Sequence, residues 1–170
     1  MKLFSTVLLL FFFNNAYCQK TQNTIEDANI HIENKLNRIY SLGSARQLQK
    51  TFGNAKIIKD TDEVLGGYAY TYKYRGFETY FNEHNWEATT INSPDYTILL
   101  NGIPYKVGGQ ISKFRNHFSI SYKYRQKRSR NDNGLSISIV HQKKYTDAYI
   151  FIAYDDNGYI TEVTIGNDNS

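Results

Sequence analysis

The sequence predicts an α+β fold of tandem units, each a helical element followed by an antiparallel β-meander, with the helices packed on one face of the sheet. Three observations predict it. Apolar residues recur every three or four positions at 25–39, again at 45–52 and again at 111–118. Elsewhere the apolar period falls to two, most plainly at Tyr68, Tyr70, Tyr72 and Tyr74. The switch from one period to the other happens twice, which divides the chain after residue 18 into units at 19–100 and 101–170 of one continuous globular domain.

Residues 1–18 read as a secretory signal peptide. Lys2 gives a basic start, and Leu3 to Phe13 is an apolar run of about eleven residues, well short of the roughly 20 that a membrane span needs. Small residues at Ala16 and Cys18 place the cut before Gln19. The alternative is lipid anchoring through Cys18 as the first mature residue, but Asn15 and Tyr17 depart from the small apolar residues such a site prefers. Export to a periplasm or to the medium is expected, with no transmembrane segment once the signal is cleaved.

Composition narrows the classes further. With 170 residues, 41% hydrophobic and 21% charged, the chain is too apolar for disorder and too polar for a membrane protein. One Cys excludes an intramolecular disulfide framework and any multi-cysteine metal site. The 15 Tyr and 10 Phe accompany abundant Asn, Ile and Lys, a bias that AT-rich coding produces without selection for binding.

The elements follow in chain order. Ile25, Ala28, Ile32, Leu36 and Ile39 form one helical stripe, opened by Thr24 and Asp27 as a capping pair and stopped by Gly43. A second short helix runs from Ser44 with Ala45, Leu48 and Phe52 on one face, closed by Gly53. Strands follow at Tyr68–Tyr74, Phe77–Phe81, Trp86–Asn92 and Tyr96–Leu100, punctuated by Arg75-Gly76, Ser93-Pro94-Asp95 and Asn101-Gly102. Val107-Gly108-Gly109 then opens a helix with Ile111, Phe114 and Phe118, followed by strands at Ile120–Tyr124, Leu135–Val140, Ala148–Tyr154 and Tyr159–Ile165. Asn133-Gly134 and Asn157-Gly158 read as type I′ hairpin turns.

The segments LGSARQLQKTFG at 42–53, VGGQISKFRNHF at 107–118 and the closing DDNGYITEVTI resemble the β-lactamase inhibitory protein architecture and its SmpA-type relatives. The resemblance covers nearly the whole chain after the signal and is structural. It implies an exported binding module, and no contact residue carries over from it.

Catalytic chemistry has little to work with. The sequence has no G-x-S-x-G, H-E-x-x-H or paired C-x-x-C spacing, and the Gly102 region lacks the Lys-Ser/Thr of a phosphate loop, so no metal, catalytic residue or cofactor is expected. The densest polar cluster, Asn82-Glu83-His84-Asn85-Trp86-Glu87, is the one hydrolase candidate, with Glu83 or Glu87 orienting His84 as a base. Neighbouring strand residues point to opposite faces, which favours a polar loop with Trp86 in the core. Asp155 and Asp156 precede a turn and suit turn chemistry.

Two features suit binding. From Lys106 to Arg130 there are eight basic residues and no acidic one, and Lys123, Arg125, Lys127, Arg128 and Arg130 interleave with Tyr122 and Tyr124, a candidate polyanion site. A net charge of +4 is too small for nucleic acid to be the expected partner. The strand Ala148–Tyr154 is apolar on both faces, so Tyr149 and Phe151, with Tyr80, are expected to line a recognition surface on an open sheet face. The expected function is an exported, non-catalytic module that binds an unknown protein or envelope component.

Overall fold

Alternating β-branched and aromatic residues commit most of this chain to strands, and the computed structural model shows a predominantly β protein with few helices. The structure describes residues 21–34, 39–40, 45–61, 66–83, 85–127 and 133–167. The expected signal segment with Cys18, the candidate base His84, and Arg128 and Arg130 lie outside the described residues.

The chain begins with β1 (Asn23–Glu26), β2 (Ile30–Asn34) and β3 (Ile39–Tyr40), then α1 (Ala45–Phe52). Four strands follow, β4 (Lys56–Thr61), β5 (Tyr68–Tyr74), β6 (Phe77–Asn82) and β7 (Asn85–Ile91), and then the hairpin β8 (Tyr96–Leu100) and β9 (Ile103–Tyr105). A 3₁₀ turn at Ile111–Lys113 leads into α2 (Phe114–His117) and α3 (Ser119–Lys123). The chain closes with β10 (Gln126–Lys127), β11 (Asn133–His141), β12 (Lys144–Tyr154) and β13 (Ile160–Asn167).

Among the described residues these strands form two sheets. The larger is mixed and nine-stranded, in the order β1-β11-β12-β13-β7-β6-β5-β4 with β10 also paired to β11. Its only parallel pair is β1 with β11. The smaller, four-stranded sheet runs β3-β2-β8-β9. Pro104 sits in β9 at its edge, where a missing N–H costs no ladder bond.

Register explains the core. One row across the large sheet reads Ile137, Ile150, Ile165, Thr89, Thr79 and Tyr72, and the next reads Leu135, Ile152, Val163, Ile91, Phe77 and Tyr74. Ile32, Ile98 and Leu100 of the small sheet, Leu48 of α1, and Phe114 and Phe118 join the same buried cluster. Each fully buried Ile or Phe contributes about 1.5–3 kcal/mol of transfer free energy. The tyrosine ladder faces this core with Tyr70, Tyr72 and Tyr74 packed against it. Burial pushes the Tyr105 phenol up to about 12.

Four expectations are corrected. The stripe from Ile25 to Ile39 forms no long helix. Ile25, Ile30 and Ile32 are buried strand residues, and a 3₁₀ turn lies between them, closed by the Ile30 N–H on the Asp27 carbonyl, while Asp27 Oδ1 accepts the Ala28 N–H at 2.7 Å. Pairing of these β-branched residues with β11 and β8 outweighs a helical period of modest length. Residues 120–124, expected as a strand, belong largely to α3, where the Tyr122 N–H reaches the Phe118 carbonyl at 2.8 Å. A run of five residues fits either period.

Asn133-Gly134 is not a turn. Both lie inside β11, opposite Tyr154 and Ala153. Asn157-Gly158 does turn the chain, yet only Gly158 is left-handed, at φ +80°. Asp155 builds that turn, its Oδ1 accepting the N–H groups of Asn157 and Tyr159 at 3.0 and 2.8 Å. The helix expected from Ser44 is present as α1 over Ala45–Phe52. Gly53, at φ +81°, closes α1 by donating to the Gln49 carbonyl at 2.8 Å.

Candidate functional site

Residues paired across a sheet share a face, so the rows between the core rows define the opposite face of the large sheet. One such row runs Ser138, Tyr149, Gly166, Ala88, Tyr80 and Thr71. The next runs Ser136, Phe151, Thr164, Thr90, Glu78 and Lys73. The three aromatic residues singled out from the sequence therefore come to one face, with Tyr149 and Tyr80 in the same row and only Gly166 and Ala88 between them.

None of the three projects freely. Tyr80, Tyr149 and Phe151 are all half-buried. The Tyr149 hydroxyl lies over Gly166, where an added Cβ would come within 3.5 Å of it. The Phe151 ring covers Gly134 so closely that a Cβ there would collide with it. Each ring thus shields a glycine on the neighbouring strand, a packing role that the two-sided apolar pattern did not reveal. Between the rings the surface is small and polar, with Thr90 bonded to Thr164 at 3.2 Å, and the charges of Lys73 and Glu78 pair off to one side at 3.2 Å.

The basic stretch is partly drawn together. Arg125 donates to the Tyr122 carbonyl at 2.6 Å and lies 4.1 Å from the centre of its ring, while Arg115 stands 5.3 Å from the same ring. Lys123 stands 5.1 Å from the Tyr124 ring centre. Lys123 and Arg125 also line a cleft of about 570 Å³ together with Tyr154, Asp155 and Asp156. Burial raises the Tyr154 pKa, and Arg125 opposes that shift. The cleft has mixed charge. Lys127 lies in β10, paired with Asn133.

In the polar loop, Glu83 is exposed with φ 49° and donates its N–H to the Tyr68 carbonyl at 2.8 Å. Trp86 packs against the core, and its Nε1 donates to Thr89 Oγ1 at 2.9 Å. Thr89 in turn meets Thr79 Oγ1 at 2.9 Å, and Thr79 donates to the Ala88 carbonyl at 3.0 Å. Trp86 is thereby committed to a buried chain of hydrogen bonds.

A second cleft, of about 510 Å³, has no signal in the sequence and is lined by Ile30, Trp86, Ile139, Ala148 and the pair Asp27–His141. His141 Nδ1 meets Asp27 Oδ2 at 2.8 Å, and this hydrogen bond holds the Asp27 carboxyl below its usual range. The two residues are 114 positions apart and meet only because β1 lies beside β11. No local spacing signals such a pair. Among the described residues, no group of three or more His, Cys, Asp or Glu side chains could hold a metal ion, and no helix is long and apolar enough to cross a membrane.

Comparison with known protein families, with curated proteins and with solved structures finds no match.

Proposed function

We propose that the protein is an exported, non-catalytic binding module that recognises a protein or envelope component through the face of the large sheet carrying Tyr80 and Tyr149. The observation that carries this reading is their shared cross-strand row, with Gly166 and Ala88 between them and neutral Thr90 and Thr164 alongside. Tyrosine supplies wide amphipathic contact at low entropic cost, and depletion of charge is typical of interface centres.

Export rests on the N-terminal basic-apolar-polar segment. We further read the chain as two copies of one helix-plus-meander unit with helices over one sheet face, the arrangement the β-lactamase inhibitory protein likeness implies. Its support is connectivity. The antiparallel run β4-β5-β6-β7 follows α1, the run β10-β11-β12-β13 follows α2 and α3, and β13 joins β7. The polyanion reading has less support, because Arg125 is already engaged with Tyr122 and faces Asp155 and Asp156 across one cleft. The hydrolase reading has less support, because the Trp86 Nε1 is already bonded to Thr89 and Glu83 is exposed.

The test substitutes Tyr80→Ser and Tyr149→Ser together and leaves Phe151, which covers Gly134, in place. The variant should melt within a few degrees of the wild type and lose the proteins that the wild type captures from native envelope or culture fluid. Capture of the same proteins by a folded variant overturns the assignment of this face.

A further inference from the structure

Among the described residues the large sheet ends at β4, which pairs with β5 on one side only. All six residues of β4 are exposed, and Ile57 and Ile58 stand out at 48% and 39% exposure on opposite faces of the strand. An edge strand of this length with apolar residues on both faces is a template for another strand. The sequence of the strand says which one.

Two edge strands can pair antiparallel only if residues of equal parity face each other, so a two-fold axis must pass through a residue and not between two. Four choices arise in Lys56-Ile57-Ile58-Lys59-Asp60-Thr61. An axis through Lys59 sets that lysine against its own copy, and one through Asp60 does the same to the aspartate. An axis through Ile57 puts Lys56 opposite Ile58 and yields no ion pair. An axis through Ile58 sets Ile58 against Ile58 and Lys56 against Asp60, twice over.

The side chains are placed to serve that last choice. Lys56, Ile58 and Asp60 share the face of Lys73 and Thr71. Lys73 is already paired with Glu78 at 3.2 Å, whereas Lys56 makes no ion pair among the described residues. Asp60 uses Oδ1 to accept the Thr61 N–H at 2.8 Å, which leaves Oδ2 to meet a lysine. Lys59, on the other face, is turned back over the Tyr68 ring at 3.5 Å. Lysines on an edge usually guard it against stray strands. Here the guard at Lys56 is cancelled by an acid four residues further along a reversed strand, which Asp60 of a second copy supplies.

We propose that β4 is a self-association edge, where two copies of this chain pair antiparallel about Ile58 and join their large sheets into one. The pairing extends the row of Tyr80 and Tyr149 through Thr71 and Ile58 into the second copy.

The experiment is sedimentation of the full chain over a concentration series. The wild type should dimerise. Lys56→Asp leaves acids at both facing positions, 56 and 60, and Asp60→Lys leaves bases at both, so each variant alone should dissociate at about tenfold or more higher concentration, every change counting twice across the axis. An equimolar mixture of these two variants should recover dimers, since acids of one chain then face bases of the other. The double variant Lys56→Asp/Asp60→Lys should also dimerise like the wild type, and thermal melting checks that every chain is folded. A wild type that stays monomeric, single variants that dimerise unchanged, or a mixture no better than either variant alone overturns the proposal.

Discussion

At the scale of single residues, the polar groups near the core satisfy one another across the neighbouring strands β6 and β7. Trp86 donates only, and Thr79 donates to a carbonyl, so Thr89 must pass its own hydrogen to Thr79. That ordered chain explains why two threonines sit in a row of isoleucines at 1% exposure. Asp27 and His141 differ, because both are about half exposed. The folded state lowers the Asp27 pKa, so its carboxylate adds stability above the ordinary aspartate range, and that increment is lost as pH falls through the lowered value. Asp27→Asn should therefore melt slightly below the wild type at neutral pH and match it in strong acid. Exposure keeps the difference within about 1 kcal/mol, and added salt should shrink it. Thermal melts across pH at two ionic strengths check both statements.

At the scale of elements, glycines inside strands carry the outer face. Gly134 makes room for the Phe151 ring, so Gly134→Ala should cost about 1–3 kcal/mol through overpacking. Phe151→Ala in the same chain should recover part of that loss, because the added methyl then enters the space the ring has left. A double-mutant cycle by urea denaturation measures the coupling, and additive losses would deny the contact. The same glycine shows where sequence legibility ends. The strands β5, β6 and β8 were readable because seven, six and five residues alternate between turn signals. Asn133-Gly134 carries an equally strong turn signal, yet it lies in mid-strand, since the space Gly134 opens is needed by a residue seventeen positions on. Likewise Ile25 to Ile39 holds a helical spacing and a set of β-branched residues, and only the availability of β11 and β8 decides between them. Of the candidate site, the placement of Tyr149 and Phe151 on one face was legible from parity, whereas Tyr80 joins them only through the pairing of β7 with β13. The packing of Phe151 over Gly134 and of Tyr149 over Gly166 was not legible, because those glycines lie in other strands.

At the scale of the whole molecule, the first and last of the described strands occupy unequal places in one sheet. Among the described residues β1 is an edge strand along β11, held as well by side-chain bonds that reach β11, α3 and the turn after β11. Gln22 accepts from Ser138 at 2.7 Å, Asn23 and Ser121 exchange bonds of 2.8 and 2.9 Å, and Glu26 accepts the Lys143 N–H at 2.9 Å. The C-terminal β13 instead lies between β12 and β7, with Val163 and Ile165 almost wholly buried. Because β13 joins the two antiparallel runs, their long-range pairing cannot be completed until it is in place. A chain starting at Gln19, the expected product of export, should melt like the full chain. One starting at Asp27 loses β1 and the buried Ile25, which costs about 1.5–3 kcal/mol for that side chain and more for the ladder, and should remain folded with a clearly lower midpoint. One ending before Ile160 should not fold, since it leaves both Ile150 and Thr89 facing water where Ile165 stood. Melting curves of the three chains separate an edge that is fastened on from a strand that holds the sheet together.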